Sequence, residues 1–358
     1  MFHRGGLWLL GISGSRVGGV KHLKPLCDLY LRTPAHSNIK ADMYPPAMRI
    51  GLNTHLFGRP GETVAAPSWG SVRERAVAAE EAGFDSFVFE DSLSYHWDDG
   101  GIDGVWESVA MAGAIAAVTS RIEIGQSVFN TPLRTPSMTA RIADTLDEIS
   151  GGRFVLGIGA GNSPDADYAA FGHSGDHRYS RFAEAIHIIH TLLKTGSVDF
   201  QGDFYKVEDC ELVLRGPSPE GPPINVAGRG PKMLRLVAKY ADAWNWWGWD
   251  ETVDDIRERL SPVVEELDRA CEVEGRDPSS LDRTFDVFTV VPEGFSTDGM
   301  AVYHQPMEKP ITGSSAQIAD YILELGELGF SEVRCDVYPQ TTDAVQALTP
   351  VVELVHAQ

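Results

Sequence analysis

The chain has 358 residues, 43% of them hydrophobic, which is enough to bury the core of a large α/β domain. Its formal net charge of −21 excludes the basic surface that nucleic acid or an anionic membrane would require. No apolar run reaches the roughly 18 residues needed to span a bilayer, and four scattered cysteines indicate a reduced compartment. We therefore expect a soluble, cytoplasmic protein whose partner is a small-molecule substrate.

Residues 1–47 differ from the rest of the chain. They show no sustained periodicity, are comparatively basic and end in a Pro-Pro pair, whereas Met48 begins a regular strand pattern. The apolar run over 7–12 is too short, and its flanks too mixed, for a signal peptide. We expect an N-terminal extension over 1–47, disordered or non-native, and one domain over 48–358 whose fold begins at Met48.

From Met48 onward, short apolar runs alternate with amphipathic segments, which is typical of parallel β/α units. The predicted strands are 49–53, 86–90, 122–127, 153–158, 224–227, 243–246, 285–291 and 332–337. The predicted helices are 72–82, 105–119, 135–149, 177–194, 232–240, 253–274 and 315–328. Eight strands predict a closed α/β barrel of the TIM (β/α)8 type. A hairpin insertion is expected after strand four, within 196–223, and a mobile loop or lid over 292–312.

The chain is organised around a glycine-rich strand end near its middle. A helix pattern stops at a Gly-Gly pair, and the apolar run 153–158 opens onto Gly157, Gly159 and Gly161. Glycine leaves bare backbone that a flat or phosphorylated ligand can approach. A dinucleotide-binding fingerprint fits poorly, because its third glycine is missing and Pro164 interrupts the following helix. We interpret this strand end as the floor of an active site.

Polar side chains follow the first two strands. His55 comes after strand one, Glu90 and Asp91 end strand two, and His96 and Trp97 lie further along the second loop. At the C-terminal mouth of a barrel, such groups can orient a ligand or move protons. The alternative is that His55 is an ordinary rim residue and that Glu90 and Asp91 are solvated loop residues.

An anion site is expected after strand five. The run 227–230, Ala-Gly-Arg-Gly, is followed by Pro231 and Lys232 at a predicted helix start. Free amides at a helix start, flexible glycines and two nearby cations can hold a phosphate on an otherwise acidic protein. The alternative is a tight turn between strand and helix with no ligand.

Aromatic and apolar side chains mark two further strand ends. Strand six ends in Trp244, Trp246, Trp247 and Trp249, half of the eight tryptophans. A core explains one or two indoles, but four at one mouth suggest an aromatic wall for a substrate or cofactor. The uncharged stretch 127–132 after strand three suits one face of a planar heterocycle. We expect no metal site, since the closely spaced histidine pairs lack a partnering acid.

Five motifs occur in order from Met48 nearly to the end of the chain. They are AEEAGFDS at 79–86, TSRIEIG at 119–125, TLDEISGGRFVLGIGAGN at 145–162, VDFQGDFY at 198–205 and AKYADAWN at 238–245. Each motif alone is weak, but five in this order and spacing are specific. Together they resemble the bacterial luciferase-like family of flavin- or deazaflavin-dependent oxidoreductases and monooxygenases. The resemblance implies an enzyme built on a TIM barrel.

The resemblance also implies roles for particular residues. A non-prolyl cis peptide bond at Ser127-Val128 would back the isoalloxazine ring, and Asn130 would lie along it. The implied cofactor-binding residues are Ser127, Val128, Asn130, Gly159, Ala160, Gly161, Ala227, Gly228, Arg229 and Gly230. The candidate catalytic residues are Asp91, His96 and Asn162, and the candidate substrate-pocket residues are His55, Trp97, Trp246 and Trp247.

Two departures from the family pattern bear on catalysis. Ser92 follows Asp91 where members often have a histidine, so His96 or Asp91 would have to handle protons. Asn162 stands where the deazaflavin-dependent sugar-phosphate dehydrogenases carry a glutamate, which weakens an assignment to sugar-phosphate oxidation.

Two cofactors are compatible with the resemblance. FMN, reduced by a separate flavin reductase, would oxygenate the substrate, whereas coenzyme F420 would exchange a hydride with it. Within this resemblance, the sequence of the hairpin motif at 198–205 and the Gly-Arg-Gly-Pro loop favour coenzyme F420. The family often forms homodimers. A non-catalytic flavin-binding paralogue is the alternative to an enzyme, since fold does not dictate function.

Overall fold

Eight parallel strands form a closed barrel in the computed structural model, which describes residues 48–59, 66–97, 100–161, 165–248, 253–297, 301–302, 305–306 and 310–358. The strands are β1 Arg49–Thr54, β2 Ser86–Phe89, β3 Glu123–Gln126, β4 Phe154–Gly159, β5 Ile224–Ala227, β6 Ala243–Trp247, β7 Asp282–Val291 and β8 Glu332–Val337. Each pairs with its successor, and β8 pairs with β1 to close the sheet. The predicted barrel is confirmed. The extension expected over 1–47 lies outside the described residues.

Helices cover the outside of the barrel. They are α1 Trp69–Ala82, α2 Ser108–Val118, α3 Pro136–Ser150, α4 Asp165–Ala170, α5 Arg178–Thr195, α6 Pro231–Tyr240, α7 Val253–Val273, α8 Ser315–Glu327, α9 Thr342–Ala347 and α10 Thr349–His356. All seven predicted helices are present with shifts of a few residues at their ends. The sequence-based prediction missed the short α4, α9 and α10, because one or two helical turns give too little periodicity. None of the described helices is long and apolar enough to cross a membrane.

Additional strands lie outside the barrel. The predicted insertion hairpin is confirmed as Ser197–Gln201 paired antiparallel with Lys206–Glu211. A three-stranded antiparallel sheet was not predicted. It is built by the loops after β1 and β2, from Phe57–Gly58, Ser94–His96 and Ile102–Val105.

The stretch 292–312, expected to be a loop or lid, is not irregular throughout. Ile311–Thr312 pairs in parallel with the end of β7, and Ala301–Val302 pairs antiparallel with Gln305–Pro306. Other parts of this stretch lie outside the described residues, so its expected role as a lid stays a prediction.

A charged layer crosses the barrel interior below the C-terminal mouth. The guanidinium of Arg334 donates to Glu332 at 3.0 Å and lies 3.7 Å from Asp286. Burial would raise the pKa of Glu332, but the arginine outweighs it and the pKa is lowered. Burial raises the pKa of Asp286. Asp286 in turn accepts a hydrogen bond from Ser127, so this layer reaches the residues that follow β3.

Candidate active site

The segment after β3 adopts the backbone geometry that the resemblance implied. The peptide bond between Ser127 and Val128 is cis, as expected. The chain then runs alongside β4, where Asn130 is in register with Gly159. The expected planar-ligand surface is therefore a bulge of the chain between β3 and β4 at the barrel mouth.

Asp91 fixes this bulge in place. Its buried carboxylate accepts a hydrogen bond from the backbone N–H of Asn130 at 2.8 Å and from the hydroxyl of Ser108 at 2.6 Å. Arg134 donates two more, at 2.7 and 3.0 Å. With four hydrogen bonds, both carboxylate oxygens are engaged. This geometry suits a residue that positions Asn130 better than one that exchanges protons. Nothing in the sequence pattern indicated the part that Arg134 plays.

The glycines at the end of β4 contact protein atoms. A β-carbon on Gly159 would lie 2.9 Å from Cγ2 of Val128, and one on Gly161 would collide with the hydroxyl of Tyr168. Tyr168 itself donates a hydrogen bond to Oδ1 of Asn130 at 2.8 Å. Small residues are thus needed here because the bulge and α4 pack directly on β4. Bare backbone for a ligand was the expected reason, and close packing supplies a second one.

His96 pairs with a residue that the sequence did not single out. It ends the strand Ser94–His96 of the small sheet, and its Nδ1 is hydrogen bonded to Oδ1 of Asp167 in α4. The carboxylate is buried, whereas the imidazole is 38% exposed. Asp167 is adjacent to Tyr168, so the pair lies one residue from the group that contacts Asn130. The third candidate catalytic residue, Asn162, lies outside the described residues.

His55 is part of a buried charge cluster between the ends of β1, β2 and β8. Its Nε2 lies 2.7 Å from Asp336, and its Nδ1 lies 3.7 Å from Glu90. Gln340 accepts from the His55 backbone at 3.0 Å and from Arg75. Burial would lower the pKa of His55, but the two carboxylates outweigh it and raise the pKa to about 10. His55 is therefore a fixed imidazolium at neutral pH, and its proposed contact with substrate stays a prediction.

We expect the cluster to make stability depend on pH. The pKa of His55 rises from 6.5 when unfolded to about 10 when folded, so its contribution is complete below pH 6.5 and lost as the pH rises through 10. In His55→Gln, thermal unfolding should show a smaller decline in melting temperature across this window. His173→Gln, which alters a half-buried histidine outside the cluster, should keep the wild-type slope. Equal slopes in all three proteins would contradict the assignment.

The turn after β5 forms a cradle at the start of α6. Gly230 is the N-cap, with φ 81° and ψ 156°, a conformation available to glycine, and no side chain caps the helix. The guanidinium of Arg229 lies 4.4 Å above the ring of Trp246 and donates to the carbonyl of Trp247. The side chain of Met233 occupies the space that a β-carbon on Gly228 would need. The expected anion site therefore has open amides, and its arginine is oriented by β6.

The tryptophans of β6 divide between core and mouth. Trp244 is fully buried, so the expectation that all four stand at the mouth is wrong for this residue. Trp246 is also buried, but its Nε1 has no hydrogen-bond partner among the described residues, and Trp247 is 38% exposed. The ring centroid of Trp97 lies 5.8 Å from that of Tyr95, a residue of the small sheet. Trp249 lies outside the described residues.

The barrel brings most of the predicted residues to neighbouring strand ends. The implied cofactor-binding residues fall in two groups on successive strands: Ser127, Val128, Asn130, Gly159, Ala160 and Gly161 around β3 and β4, and Ala227, Gly228, Arg229 and Gly230 after β5. Among the described parts of the chain, no group of three or more His, Cys, Asp or Glu side chains is arranged to hold a metal ion.

Comparison with known proteins agrees with this architecture. The family model described as luciferase-like monooxygenase matches residues 48–297. An F420-dependent glucose-6-phosphate dehydrogenase of Nakamurella multipartita is 32% identical over 206 residues, covering 56% of this chain and 57% of that protein. An uncharacterized protein of Mycobacterium bovis is 30% identical over 240 residues, covering 63% of this chain and 78% of that one.

A solved structure is similar in fold. An F420-dependent secondary alcohol dehydrogenase, in complex with an F420-acetone adduct, superposes with a TM-score of 0.69 at 17% identity, covering 86% of this chain and 99% of that chain. At this identity the likeness concerns the barrel alone. Because the family model spans well over half of the sequence, the chain belongs to the luciferase-like monooxygenase family.

Proposed function

We propose that the protein is an oxidoreductase that binds coenzyme F420 and exchanges a hydride between this deazaflavin and a small organic substrate. The observation that carries the proposal is the cradle after β5, where an uncapped helix start adjoins Arg229 at the barrel mouth. The F420-dependent relative at 32% identity supports the deazaflavin over FMN. The bound coenzyme would supply the redox chemistry, and the protein would orient it and exclude water.

The residues of the cradle fit a phosphorylated coenzyme. The first hydrogen bond within α6 runs from Leu234 to Gly230, which leaves the amides of Lys232 and Met233 available to an anion. Neither Arg229 nor Lys232 has a carboxylate within 4.0 Å in the part of the chain that the structure describes. On a protein with a net charge of −21, two cations that lack a carboxylate partner among the described residues, beside a helix start, favour an anionic ligand.

The bulge after β3 fits the planar ring of the same coenzyme. Val128 and Asn130 lie next to the end of β4, and the buried Nε1 of Trp246 on β6 is a donor that a bound group could satisfy. β4 and β5 are neighbours, so a ligand could contact the bulge and the cradle at once. We propose that the ring lies at the bulge and the phosphate at the cradle.

Titration with coenzyme F420 and, separately, with oxidised and reduced FMN tests the proposal. We expect wild type to prefer F420, and Gly230→Ala to weaken its binding by about 5- to 150-fold, because alanine disfavours this backbone conformation by about 1–3 kcal/mol. Gly275→Ala changes another glycine with positive φ, 73°, and open space around it, and should leave the affinity unchanged.

Each other outcome of the titration has a defined meaning. Preference for reduced FMN would replace hydride transfer by oxygenation, with a separate reductase as partner. Binding of either cofactor without turnover of any substrate would favour the non-catalytic paralogue. If the protein bound neither coenzyme F420 nor FMN, the proposal would be overturned.

A further inference from the structure

A small cavity lies inside the barrel. Two of the residues that line it are glycines, Gly125 on β3 and Gly157 on β4. A β-carbon on Gly125 would lie 2.6 Å from the carbonyl oxygen of Val155, so glycine allows β3 and β4 to pair as closely as they do. TIM barrels usually fill their interior with layers of branched side chains. These two glycines contribute no side chain, and this leaves space in the interior.

Polar side chains from other strands reach the same cavity. Arg334 on β8 and Asn225 on β5 both line it, together with Ser86 on β2. Arg334 is 4% exposed and Asn225 is 1% exposed. Buried polar groups of this kind are expected to have hydrogen-bond partners. The partners of Arg334 and Asn225 therefore decide what the cavity can hold.

Arg334 has one N–H without an acceptor. Its Nη2 donates to Glu332 at 3.0 Å, and its Nη1 lies 3.7 Å from Asp286. Its Nε has no hydrogen-bond partner among the residues that the structure describes. A guanidinium nitrogen can only donate. The cavity is thus lined by a buried donor that requires an acceptor.

Asn225 supplies the complementary group. Its Nδ2 donates to the hydroxyl oxygen of Thr284 at 3.0 Å, and Asn245 donates to the same oxygen at 3.0 Å. The bond to Thr284 fixes the orientation of the Asn225 amide. Its Oδ1 has no partner within the described parts of the chain, and a carbonyl oxygen can only accept. The cavity therefore combines a donor that lacks an acceptor with an acceptor that lacks a donor.

The size and charge of the cavity determine which ligand fits. It offers about 10 Å³ to the centre of a water-sized sphere, close to the least that holds one water molecule. A cation would be repelled by Arg334, and an anion would be repelled by Glu123, which also lines the cavity. Water is neutral and can both donate and accept. Holding one water costs less free energy than leaving two buried polar atoms unpaired.

We propose that the barrel interior is a binding site for one water molecule, which accepts a hydrogen bond from Nε of Arg334 and donates one to Oδ1 of Asn225. The hydroxyl of Ser86 donates to Glu332, so its oxygen keeps lone pairs for the second hydrogen of the water. Three such bonds are typical of a buried water. The water completes the bonding of Arg334 and so belongs to the polar layer beneath the candidate coenzyme site. The inference does not depend on the proposed function.

A high-resolution crystal structure of the wild-type protein tests the site directly. We expect a density peak about 2.7–3.2 Å from both Nε of Arg334 and Oδ1 of Asn225. Crystals soaked in bromide should show no anomalous peak in the cavity, and crystals under xenon pressure should show no xenon there, because xenon enters dry apolar cavities. Absence of the density peak, or a bromide or xenon peak in its place, would overturn the proposal.

Asn225→Leu and Asn245→Leu form a matched pair of variants. Each removes one hydrogen bond to Thr284, but only Asn225 lines the cavity. Magnetic relaxation dispersion of water nuclei counts water molecules with long residence times. Asn225→Leu should contain about one such water fewer than wild type, and Asn245→Leu should match wild type. An unchanged count in Asn225→Leu would contradict the site, and if this variant did not fold, the wild-type density would decide.

Discussion

Replacing Gly157 with alanine is expected to lower the unfolding free energy by about 3 kcal/mol or more. A β-carbon on this residue would lie 1.8 Å from the carbonyl oxygen of Gln126. Both groups belong to paired regions of the barrel, so neither can turn away as a flexible side chain would. Gln126 also directly precedes the cis peptide bond, and relief of the overlap would displace the bulge that forms the candidate coenzyme site.

Gly113→Ala is the matched control for this substitution. Gly113 lies within α2, and a β-carbon there would lie 3.9 Å from Cδ2 of Leu146, an ordinary contact. Because alanine favours a helix over glycine, this variant should be more stable by up to about 1 kcal/mol. Urea unfolding of the two proteins measures the difference. If Gly157→Ala unfolded at the same urea concentration as wild type, the result would contradict the close approach of β3 and β4 in the structure.

The barrel was predictable from the sequence because its strands are buried on both faces. Such strands appear as short, almost continuous apolar runs between helices, and the predicted bounds of β5 and β8 agree with the structure. The three-stranded sheet beside the mouth was not predictable in the same way. Its strands contain two to four residues each, too few to show a period of two, and form only because β1 and β2 bring their loops together.

The candidate site was predictable as a set of residues but not as a set of contacts. The resemblance identified Ser127 and Val128, and the cis bond between them is present. No sequence pattern singled out Asp167, because its contact is with His96, 71 residues away in the chain. A period of two places Trp244 and Trp246 on one face, but it cannot tell which end of that face is core.

Asp91→Asn is expected to lower the unfolding free energy by about 3 kcal/mol, because it leaves the largely buried guanidinium of Arg134 without its main partner. The carboxylate is 2% exposed and the guanidinium 15%. Asparagine keeps only one side-chain oxygen, so the donors of Asn130, Ser108 and Arg134 compete for a single acceptor. We therefore expect a weaker affinity for coenzyme F420, by about tenfold, measured by the same titration as for wild type.

Glu107→Gln separates the buried pair from charge in general. Glu107 contacts the same arginine at 2.9 Å, but its side chain is 58% exposed. An exposed pair contributes at most about 1 kcal/mol, so this variant should unfold close to wild type and bind coenzyme normally. Equal losses in the two variants would show that Asp91 acts only as one more surface charge. If Asp91→Asn lost stability but kept its coenzyme affinity, Asp91 would support the barrel without positioning Asn130. Losses in both measurements, confined to Asp91→Asn, would connect the buried ion pair to the proposed coenzyme site through the backbone of the bulge.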